Sequence, residues 1–112
     1  MQHNLDGKQF KSESNTQNGE VSEATLFNYH QNGTHVWADY AGGAIVRGNL
    51  IAIMEDDGSL NMYYQHINHQ NQLMIGKCRS TPSLHEGKLR YHESWQWLNG
   101  DQSTGTSVIV EV

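Results

Sequence analysis

Cysteine and proline are the scarcest residues of this 112-residue sequence, with one of each, Cys78 and Pro82. A single cysteine excludes an internal disulfide framework and fits a reducing compartment. Basic residues are also few, seven Lys and Arg against twelve Asp and Glu, and they are scattered along the chain. Because nucleic-acid or anionic-membrane binding leaves a clustered basic footprint, we expect neither partner for this protein.

Long apolar runs are missing as well. The longest mainly apolar stretch, Ala44 to Met54, is interrupted by Arg47 and Asn49 and is far too short to span a membrane. Residues 1–6 have neither the positive charge nor the apolar segment of a secretory signal peptide. We therefore predict a cytoplasmic protein.

The chain nevertheless has the means to build a core. Mean hydropathy is −0.71 and only 17% of the residues are charged, yet there are three Trp, five Tyr and two Phe. A disordered chain would combine low hydrophobicity with high net charge and few aromatic residues. The composition therefore predicts one domain over residues 1–112, with residues 1–7 as an N-terminal arm that is loose or pairs with the domain.

Seven clusters of turn-forming residues separate segments of alternating polarity. Asn-Gly and Asp-Gly pairs favour tight hairpins, because both residues tolerate the positive φ that these turns need. The clusters lie at 18–19, 31–33, 41–43, 56–58, 69–71, 85–87 and 99–101. They predict eight strands near residues 8–14, 20–30, 34–40, 44–54, 59–68, 72–81, 88–97 and 103–112.

The predicted fold class is all-β, an antiparallel up-and-down meander of about eight strands. A sheet of that length curls, and full closure removes its exposed edges. We therefore expect a closed barrel that resembles the lipocalin and streptavidin architectures. An eight-stranded barrel is filled by side chains or holds one small ligand.

Glu93 is the first candidate for function. It lies in the middle of a strand face that is otherwise made of Leu89, Tyr91, Trp95 and Trp97. A carboxylate in such a place is paired, hydrogen-bonded or raised in pKa. Three interpretations stay open: a ligand anchor, a general acid or base, or a structural residue. Structural partners would be Arg47, Arg79, Tyr64 or an internal water.

Aromatic residues form the second candidate feature, because ligand sites are mainly apolar with a few polar groups. The same residues could simply fill the centre of a small barrel. The candidate ligand-binding set is Glu93, Trp95, Tyr91, Tyr64, Trp37 and Arg47. The sequence identifies no catalytic residue, and the leading hypothesis is a small-molecule-binding module.

Histidine and cysteine spacing gives little support for metal or nucleophile chemistry. His66 and His69 are three apart and so point to opposite faces of a strand, whereas His30 and His35 could meet across a hairpin. Zinc usually takes three or four ligands, often with cysteine, and Cys78 has no nearby cysteine partner. We predict no metal and no cofactor, surface histidines, and Cys78 as a small core residue.

The fourth predicted strand is apolar on both faces. Ile45, Ile51 and Ile53 would lie on one face, and Val46, Leu50 and Met54 on the other. A barrel buries only one face of each strand, so the second face indicates a contact with another subunit. A homodimer, or a structural or protein-interaction role, is therefore a further hypothesis.

Five segments carry a resemblance to a known family. They are residues 36–43, 45–48, 64–68, 73–82 and 93–97. Together they resemble a family of short bacterial proteins labelled N-acetylglutamate synthase, over most of the chain from about Phe10 onward. The resemblance implies an enzymatic alternative but assigns no functional residue. From the residues alone, an enzyme would use Glu93 or a histidine as acid or base.

Overall fold

A computed structural model describes residues 4–112, and all of its regular structure is β. Eight antiparallel strands follow one another around a closed barrel. The strands are β1 Gln9–Asn15, β2 Leu26–Asn32, β3 His35–Gly42, β4 Ile45–Met54, β5 Leu60–Asn68, β6 Leu73–His85, β7 Lys88–Trp97 and β8 Thr104–Glu111. Within residues 4–112 we find no helix long and apolar enough to cross a membrane.

The barrel closes between its first and last strands. Lys11 of β1 lies opposite Val110 of β8, and Ser12 lies opposite Ile109. The register then shifts at a bulge between Ser12 and Ser14. Because every strand pairs on both sides, no long sheet edge is left free. The predicted all-β meander and its closure are both confirmed.

Two strand boundaries differ from the prediction by four residues or more. β2 begins at Leu26 rather than near residue 20, so residues 16–25 form a long loop. β6 continues through Pro82 to His85. Beyond Ser80 this strand pairs only with β7, which makes its other side an edge. Proline is tolerated there because its missing N–H is not needed by a neighbour.

The two ends of the barrel differ. At one end, called the base, Phe10 makes edge-on contacts with Tyr29 and Tyr91, at ring distances of 5.1 and 5.9 Å. Tyr91 also donates a hydrogen bond to the carbonyl oxygen of Gly58 in the β4–β5 turn, at 3.1 Å. Aromatic packing among these residues therefore closes the base. The opposite end, called the mouth, carries the β1–β2, β3–β4, β5–β6 and β7–β8 connections.

The N-terminal arm contributes to this base. Its first three residues lie outside the described part of the chain, but Leu5 is fully buried in the core. The backbone N–H of Gly7 donates to the carbonyl oxygen of Tyr29, at 3.0 Å. Leu5 and Gly7 of the arm therefore pack and bond against the barrel.

The faces of β4 were assigned wrongly at its start. A bulge between Ile45 and Arg47 places both Val46 and Arg47 outside and returns the strand to register at Gly48. Ile45 is therefore buried together with Leu50, Ala52 and Met54, while Val46 is exposed together with Ile51 and Ile53. The strand is apolar on both faces, as expected.

Candidate functional site

A cavity lies inside the barrel between the mouth and the base. The centre of a water-sized sphere can move through about 40 Å³ of it. One water needs about 10–15 Å³ on this measure, so the cavity has room for about three waters. Its lining consists of Asn15, Gly19, Glu20, Val21, Phe27, Tyr40, Leu50, Met62, Tyr64, His66, Cys78, Glu93, Trp95, Trp97 and Ser107. The site is thus mainly aromatic, with a few polar groups.

Trp95, Trp97 and Tyr64 form its aromatic wall. The two indoles, two residues apart on β7, have ring centres 5.5 Å apart, and Tyr64 packs edge-on against Trp97 at 5.8 Å. Tyr64 lies across the sheet from Gly76, where a Cβ would overlap the phenol ring. Trp95 lies in the same way over Gly105. Glycine on the neighbouring strand therefore lets each ring lie close to the sheet.

Glu93 occupies the middle of a polar row that crosses three strands. On β6 its direct neighbour is Ser80, and on β8 it is Ser107. The Ser80 hydroxyl donates to Oε2 at 3.1 Å, and the Ser107 hydroxyl donates to Oε1 at 2.9 Å. Directly opposite residues in a sheet bring their side chains together, which explains the arrangement. Both carboxyl oxygens are therefore bonded, but only by neutral donors.

Burial sets the protonation behaviour of this row. Desolvation raises the pKa of Glu93 above its ordinary value, and the two serine hydrogen bonds oppose that rise. Burial likewise raises the pKa of the Cys78 thiol, with the nearby Glu93 charge as the second cause. Glu93 is a half-buried residue that belongs to the lining of the cavity. Cys78 is a neutral core thiol, in agreement with its predicted role.

Residues 16–25, which we call the strap, cross the mouth of the barrel. On one side the Asn18 side chain donates to the hydroxyl of Ser103 and to the carbonyl oxygen of Thr104, at 3.0 and 2.9 Å. The Asn18 carbonyl oxygen accepts the indole N–H of Trp97, at 3.0 Å. The strap thereby covers the aromatic wall from above.

The other side of the strap is held by Glu20. Its Oε1 lies 2.7 Å from His66 Nε2, and its Oε2 accepts a bond from the Asn68 side chain at 3.1 Å. His66 Nδ1 in turn lies 2.9 Å from the Tyr40 hydroxyl. Because a carboxylate only accepts, Nε2 is the donor to Glu20, and Tyr40 donates to Nδ1 when the ring is neutral. The His66 side chain is 1% exposed, so a buried polar chain secures the strap.

The structure brings together three of the six predicted site residues. Glu93, Trp95 and Tyr64 line the cavity. Tyr91 is fully buried, but it belongs to the base and does not border the cavity. Its position next to Phe10 and Tyr29 makes it part of the solid packing.

The predictions for Trp37 and Arg47 were wrong, because both side chains lie outside the barrel. Trp37 is 43% exposed and stacks on His30. It is three residues from the inward Tyr40, and alternation places residues three apart on opposite faces. Arg47 is turned outward by the β4 bulge. Arg79, the other basic partner considered for Glu93, also lies outside and binds Glu55 with both terminal nitrogens, at 2.8 and 2.9 Å.

Sequence reasoning missed Ser80, Ser107, Glu20 and His66. The serines are ordinary strand residues whose meaning depends on cross-strand register. Glu20 was assigned to a strand, although it belongs to the strap. A signal did exist for His66, since alternation places it on the face of Leu60, Met62 and Tyr64. Its prediction as a surface residue was wrong.

The histidine pairs do not form a metal site in the described part of the chain. Among residues 4–112, no group of three or more His, Cys, Asp and Glu side chains is placed to hold an ion. His30 lies opposite Trp37, and His35 opposite Asn32. His66 is committed to Glu20 and Tyr40, and His69 is exposed.

The protein is thus a closed eight-stranded antiparallel β-barrel. Its cavity lies below the mouth and is mainly aromatic, with a few polar groups such as Glu93. The family described as avidin-like protein matches residues 3–112, and the chain belongs to that family. Neither the curated proteins nor the solved structures compared with the chain gave a match.

Proposed function

We propose that the protein binds a small molecule in the barrel cavity, with Glu93 as its polar anchor. The observation that carries this proposal is a carboxyl group that borders an accessible aromatic cavity and has only two serine hydroxyls as partners. Neither arginine considered as a structural partner reaches Glu93, because Arg47 and Arg79 face outward and Arg79 binds Glu55. The cavity side of Glu93 is available to a ligand.

Family membership supports the same function. Avidin-like barrels bind small molecules such as biotin. The cavity is smaller than the roughly 300–1,000 Å³ of drug-sized ligand sites. A ligand larger than a few heavy atoms would therefore have to displace the strap, which Asn18 and Glu20 hold by hydrogen bonds.

The test uses the intrinsic fluorescence of Trp95 and Trp97, which line the cavity. Small amines, amides, carboxylic acids and biotin are titrated into the protein, and hits are confirmed by calorimetry. Glu93→Gln should weaken binding of ligands with a polar head group, whereas Glu86→Gln, in the exposed β6–β7 turn, should leave it unchanged. Equal binding to wild type and Glu93→Gln would contradict the anchor role.

The enzymatic alternative is examined in the same preparation. Acetyl-CoA and glutamate are added, and free CoA is measured over time. Glutamate-dependent CoA release that is abolished in Glu93→Gln would favour an acid-base role for Glu93 over simple binding.

The single, buried and neutral Cys78 supports our inference of a cytoplasmic location, since the described chain needs no oxidising compartment to fold.

We also propose that the barrel forms a homodimer through the outside of β3 to β5. Trp37, Ile51 and Tyr63 lie side by side across these strands, with exposed fractions of 43%, 69% and 62%. Ile53 on the same face is 51% exposed. Such a contiguous apolar surface marks interaction sites on soluble proteins.

Light scattering should give a dimer, and Ile51→Lys should give a monomer with an unchanged circular dichroism spectrum. A wild-type monomer at all concentrations would contradict this proposal.

A further inference from the structure

The charges that face the cavity are one-sided. Two carboxyl groups, Glu20 and Glu93, belong to its lining, and none of the lining residues in the described chain is lysine or arginine. Glu20 is satisfied by His66 and Asn68. Glu93 has no such partner. An incoming ligand therefore meets one carboxyl group that lacks a positive counterpart.

The walls around this carboxyl group are aromatic. Trp95 follows Glu93 by two residues on the same face of β7, and Trp97 and Tyr64 continue the wall toward the mouth. The faces of Trp and Tyr rings attract cations through their quadrupoles, most strongly where water is excluded. A carboxyl group beside several such rings is complementary to a positively charged nitrogen group. The same surroundings are unfavourable to an anion.

We infer that the cavity takes a small organic cation, an ammonium or guanidinium group, that pairs with Glu93 and packs against Trp95, Trp97 and Tyr64. This inference rests on the proposed binding function and specifies its ligand class. A guanidinium group donates to both carboxyl oxygens of a glutamate at once, and each oxygen keeps a further lone pair for its serine. A compact cation fits beneath the closed strap, whereas a longer one would have to displace it.

The pH dependence of ligand affinity is a second, independent test for a cation. Burial favours the protonated form of Glu93 in the free protein, and a bound cation favours the ionised form. Affinity for a cation should therefore rise with pH until the raised pKa of Glu93 is passed, and then level off. The charge of Glu93 acts on Tyr29 of β2, Tyr40 of β3, Tyr64 of β5 and Cys78 of β6, and burial raises the pKa of each of these groups, so they stay neutral near neutral pH. Glu20 of the strap and His66 of β5 also line the cavity and are bonded to each other.

Three ligands of nearly equal size separate charge from shape: methylguanidinium, the neutral N-methylurea and acetate. Binding to the full-length protein is followed by tryptophan fluorescence and by NMR line shifts. We expect methylguanidinium to bind at least about tenfold more tightly than N-methylurea, and acetate not to bind. In Glu93→Gln this preference should fall to within about twofold, while binding of N-methylurea persists. Glu86→Gln, in the exposed β6–β7 turn at the base, is the charge-matched control.

The outcomes distinguish this inference from the proposed function. If N-methylurea or acetate binds as tightly as methylguanidinium, the cation inference is wrong and small-molecule binding stands. If the cation preference survives in Glu93→Gln, or its affinity does not change with pH, Glu93 is not the partner and the inference is wrong. If none of the three binds to wild type or to the strap variant Asn18→Ala, the cation inference is wrong. If biotin and the wider ligand set also fail, the proposed function is wrong with it.

Discussion

Replacement of Glu93 by glutamine tests the central observation without any knowledge of the ligand. Both carboxyl oxygens accept bonds from serine hydroxyls, one from Ser80 and one from Ser107. A glutamine keeps one acceptor oxygen, and its amide can donate to the other hydroxyl, because serine both donates and accepts. Size and bonding are thus nearly conserved. The main change is the loss of a buried titrating group.

The expected effect follows from the direction of the pKa shift. The pKa of Glu93 is raised above 4.5 in the folded protein by desolvation, so the folded state binds this proton more tightly than the unfolded state does. The stabilisation is fully present below the unfolded pKa and is lost as pH rises toward the folded one. Between these two pKa values wild type loses at most about 1.4 kcal/mol per pH unit through this group. Glu93→Gln does not lose it.

The assay is denaturant unfolding of wild type, Glu93→Gln and the exposed control Glu86→Gln, from about pH 5 to pH 8. The stability of Glu93→Gln relative to wild type should increase with pH and level off once the pKa of Glu93 in the folded protein is passed. Hydrogen bonds lower the pKa values of Asp57, Asp101 and Glu111, so these groups make the folded protein more stable as pH rises, but below this pH range. All three variants share this effect. Parallel pH profiles for wild type and Glu93→Gln would refute the reasoning.

Three further predictions follow from the packing. Gly76→Ala would push its Cβ into the Tyr64 ring and should lower the unfolding free energy by about 1–3 kcal/mol. Tyr64→Leu in the same chain should relieve part of that loss, and additive effects of the two changes would contradict the clash. Glu20→Gln should accelerate amide hydrogen exchange in the strap by about tenfold or more, because the strap loses a charge-assisted bond to His66, while exchange in β7 should stay the same. Unchanged exchange in the strap would show that other contacts hold it. Leu5→Ala should cost about 2–5 kcal/mol, because this arm residue is fully buried, and a loss under 1 kcal/mol in chemical denaturation would remove the arm from the core.

The strands could be predicted from the sequence because their signals are local. Alternation in β7 and β8 and the Asn-Gly and Asp-Gly turns require only neighbouring residues to be read. Prediction failed where a strand carries an irregularity. The β4 bulge exchanged the faces of Ile45 and Val46 and turned Arg47 outward, and nothing in the neighbouring residues signals that extra residue.

The candidate site was only half predictable. Glu93 and Trp95 could be recognised, because both lie on one clearly alternating face. Ser80 and Ser107 could not, because they meet Glu93 only through the registers of β6 and β8. The strap could not be foreseen either, since its contacts with His66 and Asn68 join residues more than forty positions apart.

By itself, then, the amino-acid sequence determined an eight-stranded antiparallel meander with a carboxyl group placed among aromatic residues. Period-two alternation and turn chemistry act over a few residues and need no knowledge of the whole chain. Only the tertiary structure decided that Glu93 would be bonded by serines rather than by arginine, and that residues 16–25 would lie across the mouth above it. Those outcomes depend on cross-strand register and on barrel closure, which bring distant residues together.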